Sequence, residues 1–153
     1  MPPLIHQLKY HQRQEIGLLL GRLFGEDLLG SEFLDPVEII VPVPLHPRKE
    51  KQRGYNQACL IAQGLSQATG LPLAVDNLIR VVYNPTQTTR IRTQRWENVR
   101  GIFRVTNPDA FAYKHLLLVD DVITTGSTLE ACGIALGHCL GVKVSIATLG
   151  EVC

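Results

Sequence analysis

The sequence predicts an α/β fold: a mostly parallel sheet covered by helices on both faces. Three observations lead there. Short runs rich in β-branched residues lie at 37–43 and 142–149, and a short, fully apolar one at 116–119. Longer stretches with helical spacing lie between them, and Gly or Pro marks most of the boundaries. Strands alternating with helices close a mostly parallel sheet, because each helix returns the chain to the edge from which strands start. Ligands of such sheets bind beyond the C-terminal ends of strands, so the residues that follow each strand are the first candidates for function.

Residues 4–29 read as an amphipathic helix, with Leu4, Leu8, Leu19, Leu20, Leu23 and Phe24 at roughly helical spacing. Gly25 and Gly30 weaken its end. The run 37–43 is a short buried strand closed by Pro42 and Pro44, which stiffen the loop after it. A helix over 55–69 is stopped by Gly70 and Pro72. Strands are expected at 78–83 and 102–105. Between them, 84–100 carries Arg, Thr and Gln without apolar periodicity and reads as a long loop. The fully apolar run 116–119 is a further strand, and 127–140 a helix with Ser127 or Gly126 as its N-cap. Residues 142–149 close the sheet.

At 153 residues the chain fits one domain, which buries roughly two thirds of its unfolded surface. No apolar run reaches the roughly 20 residues that span a bilayer. The first residues lack the apolar core of a secretion signal, so a cytoplasmic protein with no membrane partner is expected. Cys59, Cys132, Cys139 and Cys153 form no C-x-x-C pair and no zinc-finger spacing, which predicts reduced thiols and no structural zinc. The five histidines show no ligand spacing either. Charge is uneven: residues 48–104 hold ten Lys/Arg against three acids, a net +7, while the rest carries a net −6. A basic middle between acidic ends suits an anionic ligand, whether a phosphate ester or a nucleic acid.

The chemistry concentrates at Val119-Asp120-Asp121-Val122-Ile123-Thr124-Thr125-Gly126-Ser127-Thr128. A helix N-terminus presents unpaired N–H groups and a positive dipole end to a phosphate. Gly126 allows close backbone approach, and the hydroxyls of Thr124, Thr125, Ser127 and Thr128 can donate to phosphate oxygens. Asp120 and Asp121 precede that cradle, where they can accept from a vicinal diol; a diol and a phosphate on one small scaffold describe ribose 5-phosphate. The string lacks the lysine of G-x-x-x-x-G-K-[ST], and its acids come before the turn, unlike the dinucleotide fingerprint.

This string resembles the phosphoribosyl-diphosphate motif of the type I phosphoribosyltransferases, and the resemblance extends to the ComF/GntX family. It is carried by Leu8-Lys9-Tyr10, Val41-Pro42-Val43-Pro44-Leu45-His46, Arg53-Gly54-Tyr55-Asn56-Gln57-Ala58, Gln87, Arg95-Trp96-Glu97-Asn98-Val99 and Gly101-Ile102-Phe103. The resemblance implies a single phosphoribosyltransferase-like domain, 1–153, with a small hood from 1–35 and loop segments over a core at 36–153. It implies binding of 5-phosphoribosyl 1-diphosphate with Mg²⁺ and transfer of the phosphoribosyl group to an unidentified acceptor.

Asp120, Asp121, Val122, Thr124, Thr125, Gly126, Ser127 and Thr128 would hold the ligand, with Asp120 and Asp121 catalytic and reaching Mg²⁺ indirectly. Pro44, Leu45, His46, Arg53 and Arg95 would form the diphosphate side, and Asn56 would cap the next helix or serve the site. The loop around Arg95 and Trp96 would close over the diphosphate, and a homodimer is implied. The family also points to a second class of function, a non-catalytic competence role with single-stranded DNA or competence proteins, or a ligand-sensing regulator. Two departures stand out. The paired C-x-x-C motifs of the family's zinc ribbon are absent from this sequence, as in a short form or a chain given without the ribbon. Asn84 and Arg90 replace the family's usual Thr and Leu.

Overall fold

The computed structural model describes residues 14–81, 101–123 and 125–151. Its core is a parallel three-stranded sheet of order β1-β4-β5: β1 (Ile39–Pro42), β4 (His115–Ile123) and β5 (Lys143–Glu151). A separate antiparallel pair joins β2 (Leu78–Arg80) to β3 (Phe103–Val105). The helices are α1 (Gln14–Leu28), α2 (Pro47–Arg53), α3 (Gln57–Thr69) and α4 (Ser127–Leu136). Register runs from Ile39 opposite Leu116 to Pro42 opposite Val119, and from His115 opposite Lys143 to Ile123 opposite Glu151.

Side-chain alternation along β4 divides the core between two layers. Leu116 and Leu118 pack with Cys132, Leu136, Leu78 and Phe103, the α4 side. Leu117 and Val119 pack with Ile61, Leu65 and Tyr55, the α3 side. Helices thus cover both faces of a parallel sheet, as the alternating pattern predicts.

Three features differ from expectation. β4 runs four residues past the apolar stretch, so the acidic pair lies inside the strand; pairing with β5 continues to Ile123 and sustains it. α4 ends at Leu136, short of the expected 140. In α1 the buried residues are Gly17, Gly21 and Gly25, while Leu19 and Leu23 are 48% and 49% exposed. Gly25 is therefore a contact residue and not a weak end. A Cβ on Gly21 would overlap the Ile61 carbonyl oxygen, and one on Gly64 the Leu18 carbonyl oxygen. Glycine lets α1 and α3 touch backbone to backbone, which apolar periodicity does not reveal. Leu4, Leu8 and the 84–100 loop lie outside the described residues.

Candidate functional site

β1 and β4 both end at the same edge of the sheet, and the candidate residues gather there. β1 stops at Pro42, which has no N–H to donate. Val43 still donates to the Val119 carbonyl at 2.8 Å, and beyond it β4 has no β1 partner. The Asp121 N–H, on that same edge, donates to Asp120 Oδ1 at 2.9 Å. The Val122 N–H donates to Asp121 Oδ1 at 2.8 Å, while Val122 is paired with Gly150 of β5.

The two acids differ in surroundings. Asp120 is half-buried and lines a small cavity of ≈ 40 Å³ with Val122, Ile123, Gly126, Thr128 and Leu129. It follows Leu118 on the α4 side and helps to push the Cys132 thiol pKa up, after burial as the main cause. Asp121 is 6% exposed.

The turn that follows has the geometry an anion cradle needs. Gly126 caps α4 at φ +83°, the left-handed region that glycine adopts without strain. Ser127, the alternative cap expected from the sequence, is instead the first residue of the helix. Its hydroxyl pairs with that of Thr125, and Thr125 Oγ1 accepts the Ser127 N–H at 3.3 Å. Thr125, Ser127 and Thr128 are exposed around the first turn of α4. Thr124 lies outside the described residues.

The other wall comes from the residues after β1. Pro44 is buried, and Leu45 and His46 are half-buried. His46 caps α2, its Nδ1 accepting the Arg48 N–H at 3.1 Å, so one ring nitrogen serves the backbone and not a proton transfer. Gly54, at φ +88°, turns the chain after α2. Asn56 Oδ1 then caps α3 by accepting the Ala58 N–H at 3.0 Å, while its Nδ2 donates to the Val43 carbonyl at 3.1 Å. Asn56 therefore ties α3 to the end of β1, a capping role with a direct bearing on site geometry. Arg53 is half-buried in the same turn. Arg95 and Trp96 lie outside the described residues.

Between this loop and β2 lies a cavity of ≈ 390 Å³ whose walls include Pro44, Leu45, Asn56, Cys59, Asp76 and Arg80. Burial pushes the Cys59 thiol pKa up, with the Glu50 and Asp76 carboxylates adding to it. Arg80 is not conspicuous in the sequence, where it is one cation at the end of a short apolar run. Its guanidinium lies 5.6 Å from the centroid of the Phe103 ring, and burial lowers its pKa. Only β2–β3 pairing, which sets Arg80 opposite Phe103, makes this visible. Among the described residues no group of three His, Cys, Asp or Glu side chains is placed to hold a metal ion.

With the fold and site in place, the chain has the architecture of the type I phosphoribosyltransferases. The purine phosphoribosyltransferase of Pyrococcus horikoshii matches at TM-score 0.55 and 17% identity, over 94% of this chain and 76% of that one. The glutamine phosphoribosylpyrophosphate amidotransferase of Bacillus subtilis, complexed with ADP and GMP, matches at TM-score 0.57 and 19% identity, over 87% of this chain and 26% of that one. Sequence relatives narrow the class. The DNA utilization protein YhgH of Escherichia coli is 35% identical over 84% of this chain and 57% of its own length. Competence protein F of Haemophilus influenzae is 36% identical over 83% of this chain and 57% of its own. The chain belongs with these proteins in the ComF family, and it spans a little over half of their length. No family model matches it. No described helix is long and apolar enough to cross a membrane.

Proposed function

We propose that this chain is a single phosphoribosyltransferase-type domain that binds 5-phosphoribosyl 1-diphosphate with Mg²⁺ and transfers the phosphoribosyl group to an acceptor. The observation that carries this reading is the order of parts at the end of β4: acids, then a left-handed glycine, then exposed hydroxyls at a helix N-terminus. The acidic pair takes the sugar side. Thr125, Gly126, Ser127 and Thr128 take the 5-phosphate, so that binding energy far from C1 orients it. Pro44, Leu45, His46 and Arg53 flank the diphosphate, with Arg95 from the loop.

Two carboxylates at a strand end, with no third ligand among the described residues, suit a hard cation that arrives on the diphosphate and is held at second hand. When bound, Mg²⁺ would offset the charge of the leaving diphosphate. The protein's share of catalysis is mostly electrostatic: the carboxylates favour positive charge developing on the ribose ring as the bond to diphosphate breaks.

Thermal stability is followed while the ligand is titrated with and without Mg²⁺. A rise in melting temperature is expected, and Asp120→Asn combined with Asp121→Asn should abolish it. A double variant that responds like the wild type refutes the site. Diphosphate release across a panel of bases and amines then reads turnover.

The names of the relatives favour a second reading, a competence role in handling single-stranded DNA. Exposed Arg48, Lys49 and Lys51 on α2 would supply phosphate contacts. Single-stranded DNA affinity that does not weaken with salt, or that survives loss of these charges, rules it out.

A further inference from the structure

The two edges of the main sheet are finished differently. Beyond β1, residues 72–74 take up the outer backbone groups of Ile40: its N–H donates to the Pro72 carbonyl at 2.9 Å, and its carbonyl accepts the Ala74 N–H at 2.9 Å. Beyond β5, no described strand follows. The Lys143 N–H donates to the Lys114 carbonyl at 3.0 Å, so Lys143 and every second residue after it turn their backbone groups to β4. Val144, Ile146, Thr148 and Gly150 turn theirs outward.

Nothing guards this edge. β5 keeps one register with β4 over its nine residues, holds no proline, and carries charge only at its ends. A long edge without bulge, proline or central charge is a template for another strand. The face beside it is open as well. Val144 and Ile146 share the α4 face with their partners Leu116 and Leu118, yet Ile146 is 46% exposed, and a Cβ built on Gly150 would meet nothing within 4 Å. Lys143 and Glu151 are both exposed, and neither has an ion-pair partner among the described residues.

We propose that this edge pairs with the same edge of a second copy of the chain, antiparallel about a two-fold axis at Ala147. The strand is complementary to itself in that register. Val144 faces the partner's Gly150 and Ile146 the partner's Thr148; all are outward-turned, so each pair exchanges two backbone hydrogen bonds. Lys143 faces the partner's Glu151 on one face of the joined sheet, and symmetry repeats the contact. Within one chain these two charges lie at opposite ends of β5, about 26 Å apart and beyond the reach of a screened ion pair. Their complementarity exists only between copies, which selects a second copy over a strand of another protein. Such pairing needs no ligand, so it stands or falls apart from the phosphoribosyl reading.

Sedimentation equilibrium of the full chain from about 1 μM to about 1 mM covers the affinities of small interfaces. It is run on the wild type, Lys143→Glu, Glu151→Lys and the double variant Lys143→Glu with Glu151→Lys. The wild type should dimerise. Each single reversal sets like charges opposite one another at two symmetric places and should weaken the dimer about tenfold. The double variant should return to within about twofold of the wild type, because the exchange restores opposite charges across the axis. A wild type that stays monomeric throughout, single reversals that leave the dimer unchanged, or a double variant as weak as the singles would each overturn the pairing.

Discussion

Replacing Gly21 by alanine tests the backbone contact that holds α1 against α3, and through α3 the Asn56 tie to β1. In an exposed helix the change gains up to about 1 kcal/mol, because alanine loses less backbone freedom on folding. At Gly21 the added methyl meets the Ile61 carbonyl oxygen, with the Ile61 carbonyl carbon at 2.9 Å and the Gly64 Cα at 3.0 Å. All three are backbone atoms of α3, so no side chain can swing aside and the helices must part. Overpacking of this kind costs about 1–3 kcal/mol and occasionally more. Because the overlap is with backbone, the upper part of that range applies, and a net loss of about 1–2 kcal/mol remains after the helix gain. For a domain of this size that lowers the melting temperature by roughly 3–8 °C.

Gly133 supplies the internal control. It sits within α4, and a Cβ built there would meet nothing within 4 Å, so Gly133→Ala should raise stability by up to about 1 kcal/mol. Urea denaturation reads both as a shift in midpoint at constant m. Opposite signs are expected from one chemical change. Gly21→Ala as stable as Gly133→Ala would refute the close-contact account of α1.

Two further outcomes follow from the site. Asn56→Ala removes the α3 cap and strands the Val43 carbonyl, at a cost of about 2 kcal/mol in urea denaturation; a loss under a few tenths would show that the tie is not maintained in solution. Cys59, with its thiol pKa raised by burial, Glu50 and Asp76, should alkylate with a pH midpoint above that of a free thiol. The sign is that of an anion disfavoured by both desolvation and like charge, so Glu50→Gln with Asp76→Asn should move the midpoint down. An unmoved midpoint in a Cys153→Ser background would mean that these carboxylates do not face Cys59.

Much of the architecture is legible because strand and helix periods are local. The apolar run 116–119 announces β4, and Asn56 and Gly70 bracket α3 as cap and stop. The ten-residue string from Val119 to Thr128 marks the candidate site because acids, glycine and hydroxyls each do a separate chemical task. What local pattern misses is anything decided across the sheet. The string places Asp120 beside Asp121 but does not say that the strand continues through them; pairing of Asp120 with Thr148 and Val122 with Gly150 does that.

By itself, then, the sequence determined the layer architecture, the Asn56 cap of α3 and the acid–glycine–hydroxyl order, all of which depend on neighbours a few residues apart. Tertiary structure alone decided that glycines are the fully buried residues of α1, and that Arg80 lies over Phe103. It alone separated the surroundings of Asp120 and Asp121. Those outcomes rest on contacts between segments tens of residues apart, where burial and the loss of a strand partner, not local propensity, set the free energy.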